Sequence, residues 1–435
     1  MMEKILKKSP SASLTRTALA GAVGNVLEWY DFGLFGFFAP VLGRLFMSAE
    51  GSLVPLLETY GVFATGFLAR PVGGVLFGYI GDRMGRKRAL ELSVLLMAAA
   101  TALMGLLPTH ASIGLAAPLL LTLLRLLQGL SVGGEYIGSM SFLSEHAPAG
   151  RRAFLGSWSS FSVILGSLLG SGVAALCTGL LPESALAAWG WRVPFLGGIL
   201  IGLVGYWLRK GVEESPSFLK IRQDGKLAVN PIAETMRNDW GAILTTLGLT
   251  GLSSVGFYLP FVWLPTWLAR IKQPPLPESQ ALTANTLALL LLLVLTPFTA
   301  LVSDRVGRKP MYLASAAGYA LLSYPVFRMM AGGGFPSAVL GGLVFAASNG
   351  LYSGCMAATM VELFPTRTRY SGVAIGYNLG QAVLGGTAPL VGTALIDLTG
   401  NALAPTFYLI GCALAAAAAS LFIVERHDRP LDEAA

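Results

Sequence analysis

The sequence predicts an all-α membrane protein of twelve transmembrane helices in two six-helix bundles, with the N- and C-termini cytoplasmic. Three observations carry this. Of 435 residues, 54% are hydrophobic and 12% charged, against roughly 25% charged in a soluble domain, too few for a water-facing surface. Internal repetition is the second. Gly81-Asp82-Arg83-Met84-Gly85-Arg86-Lys87 recurs 222 residues later as Ser303-Asp304-Arg305-Val306-Gly307-Arg308-Lys309, and Glu145-x-x-Pro148-x-x-x-Arg152 recurs 217 residues later as Glu362-x-x-Pro365-x-x-x-Arg369. Two echoes at nearly one offset mark duplicated halves. The third is the placement of Lys and Arg: 23 of 30 fall on the side of the N-terminus, five opposite (Arg44, Arg192, Arg270, Lys272, Arg328), and two, Arg70 and Arg125, inside spans. The positive-inside rule then places both termini in the cytoplasm. The net charge of +7 is topological and does not indicate a nucleic-acid surface.

At about 20 apolar residues per crossing, the spans fall at 18–38, 54–80, 89–107, 115–143, 154–176, 193–209, 241–269, 280–302, 311–330, 336–360, 371–395 and 403–424. The first follows a Lys-rich start but contains Glu28 and Asp31 and lacks a small-residue cleavage site, so it reads as a retained span and not a signal peptide. Spans 2 and 4 carry Gly66, Gly74 and Gly78, and Gly129, Gly133 and Gly134, as helices do where backbones pack closely. The external connections 39–53 and 177–192 are the longest on that side. Residues 209–240, mixing charges with Pro216, Gly225 and Pro231, form a cytoplasmic linker between an N-terminal bundle (1–208) and a C-terminal bundle (241–435). The tail after Val424 is too short for an appended coiled coil.

An ionised group at mid-bilayer costs roughly 2.5–3.5 kcal/mol on insertion scales, so it needs a partner or a protonation change. Five residues qualify, Glu28, Asp31, Arg70, Arg125 and Glu135, all in the first half. Glu28 and Asp31 are i and i+3 on one helical face. At 1.5 Å per residue, Asp31 lies about 20 Å from the cytoplasmic end of its span, Arg70 about 18 Å and Arg125 about 28 Å, so Asp31 reaches either arginine. Three carboxylates against two guanidiniums leave one negative charge over, and because Arg stays protonated, a carboxylate takes up the proton. The five form a proton-coupling set.

Span 7 is rich in aromatics (Tyr258, Phe261, Trp263, Trp267), as is span 1 (Trp29, Tyr30, Phe32); Trp267, near a span end, reads as an interfacial anchor. Neutral polar groups in the second half, Tyr258, Asn349, Tyr352, Tyr377, Asn378 and Gln381, suit the orientation of a ligand. With Tyr30, Arg70, Arg125, Gln128 and Trp263 they make up the expected substrate site. The repeated loops, Gly81, Asp82, Arg83, Gly85, Arg86 and Lys87 with Asp304, Arg305, Gly307, Arg308 and Lys309, together with Glu145, Arg152, Glu362 and Arg369, read as a cytoplasmic gate whose ion pairs form in one conformation and break in another. Cys177, Cys355 and Cys412 are too dispersed for a disulfide framework or metal site. Walker, zincin and nucleophile-elbow motifs are absent from the sequence; no enzyme activity, cofactor or metal is expected.

These residues resemble the metabolite:proton symporter family of the major facilitator superfamily, which includes bacterial transporters for citrate, 2-oxoglutarate, shikimate, proline and betaine. The resemblance runs almost end to end. Its carriers are Gly24-Asn25-Val26-Leu27-Glu28-Trp29-Tyr30-Asp31-Phe32, Ala69-Arg70-Pro71-Val72-Gly73-Gly74, the Asp82 and Asp304 loops, Arg125-Leu126-Leu127-Gln128-Gly129 through Gly133-Gly134-Glu135-Tyr136, Trp191-Arg192-Val193-Pro194-Phe195, and Phe364-Pro365-Thr366-Arg367-Thr368-Arg369 leading to Tyr377-Asn378. It implies the major facilitator fold with a central cavity, rocker-switch alternating access and proton-driven uptake, and it implies that Asp31 and Arg125 correspond to the proton-coupling pair of related sugar symporters. Trp29 and Gly134-Glu135-Tyr136 look closer to the proline/betaine members than to the citrate members.

The resulting expectation is a secondary active transporter, a monomer in the cell inner membrane, that takes up a small carboxylate-bearing metabolite (an organic acid, or a zwitterion such as proline or betaine) by proton symport. Its partners are the substrate, protons and the lipid bilayer, without nucleic acid. Two alternatives stand beside it: a proton-antiport exporter of cationic drugs, for which the excess carboxylate serves equally, and a transport-inactive membrane sensor.

Overall fold

A computed structural model describes residues 10–47, 53–74, 76, 86–145, 147–148, 150–210, 231–364 and 369–428. Among these residues the structure is all helix and turn. In chain order the helices that position the site are α1 (Pro10–Phe37), α2 (Ala39–Phe46), α3 (Val54–Leu68), α4 (Arg86–Leu106), α5 (Ala116–Val132), α6 (Glu135–Glu145), α7 (Arg152–Leu180), α8 (Arg192–Lys210), α9 (Trp240–Tyr258), α10 (Glu278–Val306), α11 (Lys309–Gly332), α12 (Phe335–Glu362), α13 (Arg369–Gly380), α14 (Ala388–Thr399) and α15 (Ala404–Ser420). Each interval expected to span is helical over most of its described length. Among the described residues six stretches are long and apolar enough to cross a membrane: Ala116–Ser141, Arg152–Leu180, Trp240–Ile271, Glu278–Val306, Phe335–Glu362 and Ser371–Thr399. A bent pair, Glu183–Gly190 with Arg192–Val204, makes a seventh if counted as one span.

Local chemistry explains the boundaries. Pro40, Pro55, Pro310, Pro336, Pro389 and Pro405 each sit in a first helical turn, where a missing N–H costs nothing and φ is preset. Gly307 ends α10 at φ 99°, a conformation that glycine adopts freely. A Cβ there would also run into the Glu425 carboxylate. Large apolar side chains such as Leu119, Leu200, Leu321 and Leu398 are left exposed on the outer surface, as expected when the surroundings are acyl chains.

Two of the connecting segments contain helix. The connection 177–192 is helical over most of its length, because α7 continues to Leu180 and a turn of helix and a π-helical segment, Leu186–Gly190, follow. The linker also has helix in it: Pro231–Asn238 forms a separate helix before α9, and 211–230 lies outside the described residues.

The glycine faces behave as the small-residue pattern predicts. A Cβ on Gly129 would overlap the Gly66 carbonyl, and one on Gly73 the Leu130 carbonyl, so the chain of α3 and the turn after it lies backbone to backbone against α5. Gly166 of α7 meets the Val26 carbonyl of α1 in the same way. Such contacts hold helices together in a bilayer, where lipid is as apolar as leucine.

Candidate substrate and proton site

The five intramembrane charges divide into two groups. Arg70 follows α3 and Glu28 lies on α1; their side chains, 1% and 3% exposed as residues, approach to 3.6 Å (Arg70 Nη2 to Glu28 Oε1). One turn further along α1, Asp31 meets neither arginine. Its Oδ2 accepts a hydrogen bond from Thr101 Oγ1 of α4 at 2.6 Å, Thr101 accepts from Gln128 Nε2 at 2.6 Å, and Gln128 Oε1 accepts from Arg125 Nη1 at 2.7 Å. The choice between Arg70 and Arg125 left open by depth is thus decided by direction: Asp31 is joined to Arg125 through two neutral side chains. Thr101 was not singled out in the sequence; a lone hydroxyl in an apolar span is too common to stand out. Glu135 begins α6, and its side chain lies outside the described residues.

Arg125 is fully enclosed. Its guanidinium carbon lies 4.4, 4.5 and 5.2 Å from the ring centroids of Phe32, Phe35 and Phe63, a cation–π cage. Arg70 is placed differently, 5.9 Å from the Trp29 ring and 5.4 Å from the Phe67 ring, and its Nε and Nη1 are buried without hydrogen-bond partners. Buried donors are ordinarily satisfied. The Trp29 indole N–H and the Tyr258 hydroxyl are likewise unpartnered.

Around these donors the two halves present aromatic walls. Trp29 stacks on Tyr258 at 6.1 Å between centroids, Phe67 meets Tyr258 at 5.2 Å, and Tyr136 meets Tyr377 at 5.5 Å. The C-terminal half supplies its share where helices widen: π-helical turns run over Leu259–Trp263, immediately after Tyr258, and over Gln381–Gly385. Such turns recur at functional sites because they redirect side chains. Gln381 donates from Nε2 to the Tyr377 hydroxyl at 2.9 Å, and its Oε1 is unpartnered.

Other expected ligand groups are committed elsewhere. Tyr30 donates to the Pro194 carbonyl at 3.1 Å and Trp263 to Thr393 Oγ1 at 2.9 Å, both buried. Asn349 donates to the Gly256 carbonyl and bonds Tyr319 and Tyr352, while Tyr352 donates to the Ser253 carbonyl; this network ties α12 to α9. Asn378 donates to the Gly133 carbonyl at 3.1 Å across the halves. Trp267 is no interfacial anchor. It is fully buried and donates to the Ala402 carbonyl at 2.8 Å. Arg192, in the string Trp191 to Phe195, donates to the carbonyls of Gly105 and Leu107 and so closes the end of α4.

At the end of the molecule that carries the repeated Asp304 loop, the halves are pinned together. Asp304 Oδ1 and Oδ2 accept the amides of Ala153 and Phe154 at 2.8 and 2.9 Å, placing a carboxylate at the N-terminus of α7. Arg308 bonds Asp304 and Glu362 at 3.0 Å each, and Arg152 of the first half reaches Glu362 Oε1 at 2.5 Å. The two echoed Glu/Arg motifs therefore meet across the halves. Lys309 begins α11, where its amide and that of Arg308 are held by Glu425 Oε1 and Oε2, another residue that was not anticipated. Arg369 Nε donates to the Val361 carbonyl. Arg305 adds no contact to the cluster that is described. Gly81, Asp82, Arg83 and Gly85 lie outside the described residues; Arg86 and Lys87 open α4 and Glu145 closes α6, their side chains undescribed. At the opposite end Tyr60 donates to Thr266 Oγ1 at 2.9 Å, another buried contact between halves. If the Glu362 cluster is a latch, Glu362→Gln removes the carboxylate that Arg152 and Arg308 share, leaving Arg308 with Asp304, and hydrogen exchange at the Ala153 and Phe154 amides should accelerate on the order of 100-fold. Unchanged exchange there would remove the latch assignment.

Comparison with known proteins agrees with this architecture. The model for "Sugar (and other) transporter" matches residues 17–241, and that for "Major Facilitator Superfamily" matches 276–435. The glycine betaine/proline/ectoine/pipecolic acid transporter OusA of Dickeya dadantii is 34% identical over 427 residues, covering 96% of this chain and 85% of the relative. The chain belongs to the metabolite:proton symporters of the major facilitator superfamily. The proline/betaine transporter of Escherichia coli strain K12 is 32% identical over the same coverage, and the ectoine/proline transporter ProP of Corynebacterium glutamicum is 34% identical over 431 residues. In fold, this symporter is similar to the xylose transporter XylE from E. coli in its partially occluded inward open conformation, with a TM-score of 0.76 at 21% identity over 95% of this chain and 98% of that one. It is a membrane-embedded secondary transporter.

Proposed function

We propose that this transporter imports a small zwitterion, one carboxylate and one bulky or methylated ammonium, together with protons, across the cell inner membrane. It works as a monomer of twelve spans with cytoplasmic termini, halves 1–208 and 241–435 and linker 209–240, rocking about the buried layer. The observation that carries the substrate class is Arg70: a guanidinium held by Glu28 at 3.6 Å, with two nitrogens unpartnered, among Trp29, Phe67 and Tyr258. A substrate carboxylate satisfies those donors and competes with Glu28, which then takes up a proton. The faces of Trp29, Tyr136, Tyr258 and Tyr377 suit the positive end. Relatives named for glycine betaine, proline, ectoine and pipecolic acid support the choice of a zwitterion over a di- or tricarboxylate. A drug-export site for cations alone has no use for an arginine with donors to spare.

In proteoliposomes, an inside-negative potential of 100 mV contributes about 2.3 kcal/mol per net charge moved, enough for some 50-fold accumulation of labelled betaine or proline, collapsing with a protonophore. Citrate uptake that excess betaine does not compete would overturn the substrate class.

A further inference from the structure

The N-terminal bundle contains a small cavity on the flank of α1, bordered by α4, α5 and α8. It is lined by both Glu28 and Asp31, with Ser93, Met97, Ser131 and Gly198 among the other walls. Its volume is about 20 Å³ on a measure by which one water takes roughly 10–15 Å³. Asp31 Oδ1 is buried and unpartnered, whereas its Oδ2 is held by Thr101. An ideal Cβ on Gly198 would stand 3.5 Å from that Oδ1 and 2.7 Å from Thr101 Cγ2, so glycine keeps the space at the carboxylate open. The walls supplied by α4, α5 and α8 include no charged side chain.

We propose that this cavity is a water site that relays a proton between Asp31 and Glu28 inside the N-terminal bundle, apart from the substrate layer at Arg70. Two acceptors one turn apart on α1, about 4.5 Å along the axis, both border a space sized for one water. The water gives a proton to Glu28 as it takes one from protonated Asp31; the water is regenerated, Asp31 returns to the carboxylate and Glu28 becomes the neutral acid. The step releases Arg70 from its ion pair at the moment a substrate carboxylate needs it. Gly198 and Thr101 act as positioning residues: one preserves the space, the other turns Oδ1 toward it.

The relay rests on the proton-coupling reading of Asp31, and the tests separate the two. Gly198→Ala and Val94→Leu both add carbon to the cavity walls. Each is expected to lower pH-driven accumulation at least about tenfold while betaine exchange at equal pH stays within about twofold. Parallel loss of both activities, or loss of neither, overturns the relay. If a filled cavity prevents folding, radiolytic footprinting of the unaltered protein decides: Met97 at the cavity should oxidise several-fold faster than Met104 on the same helix, and equal slow oxidation overturns the water site. Should Asp31→Asn accumulate substrate normally, the coupling reading fails first, independently of what footprinting finds.

Discussion

Asp31→Asn is expected to abolish proton-driven accumulation while substrate exchange persists. The substitution preserves size and can keep a hydrogen bond with Thr101, now 2.6 Å from Asp31 Oδ2, but an amide does not take up a proton. Without a titrating group, inward movement of substrate is uncoupled from the proton gradient, so the steady-state ratio falls from some 50-fold at 100 mV toward unity. Exchange needs only the loaded carrier to reorient, and should remain near the unaltered rate. Paired measurements in proteoliposomes, net uptake under a pH gradient and counterflow at equal pH, check both halves of the expectation. Undiminished accumulation would remove Asp31 from the coupling set.

Arg70→Gln is expected to abolish binding itself. Arg70 has two buried nitrogens without partners, Nε and Nη1, whereas Arg125 has one, Nε, and is enclosed by Phe32, Phe35 and Phe63 with Nη1 engaged by Gln128. Removing one partner of a buried charged hydrogen bond typically costs 2–5 kcal/mol, so the substrate Kd should rise on the order of 100-fold or more. A second consequence follows from the 3.6 Å contact to Glu28: with the guanidinium gone, a substrate carboxylate no longer competes with Glu28 for it, and any residual binding should lose its pH dependence. Titration calorimetry with betaine at two pH values reads both effects. Retained micromolar affinity would shift the carboxylate site away from Arg70.

The contrast between the two arginines shows how far a sequence reading reaches in a membrane protein. Depth along a helix follows from residue count, and it was enough to put Asp31 within reach of both Arg70 and Arg125. Direction around the axis does not follow, because it depends on how helices are rotated against one another. Depth therefore left Asp31 within reach of either arginine, while the folded chain turns Glu28 to Arg70 and Asp31 to Thr101. The same limitation accounts for Trp263, Tyr30, Asn349 and Tyr352. They are polar and aromatic at the right depth, but they point at Thr393, Pro194, Gly256 and Ser253. Trp267 was misread because a span end was equated with the lipid interface, whereas its indole is covered by the chain at Ala402.

Repeated motifs showed the opposite pattern. Their duplication was visible at once, and together they read as a gate, but which motif pairs with which was not visible. In the fold, Arg152 of one motif pairs with Glu362 of its echo, and Asp304 caps a helix of the other half. Pairing of this kind belongs to the interface between halves, which exists only once both have folded.

What the sequence determined alone was class, helix placement and family: long apolar runs force backbone hydrogen bonds inward as helices wherever lipid is the solvent, and that requirement is local to each segment. What tertiary structure decided was partnership, namely which carboxylate faces which arginine, where a cavity is left beside Asp31, and how Arg152, Arg308, Asp304 and Glu362 join the halves. Those depend on helix rotation and close approach at glycines such as Gly66, Gly129 and Gly198, contacts between residues far apart in the chain that no single segment's composition encodes.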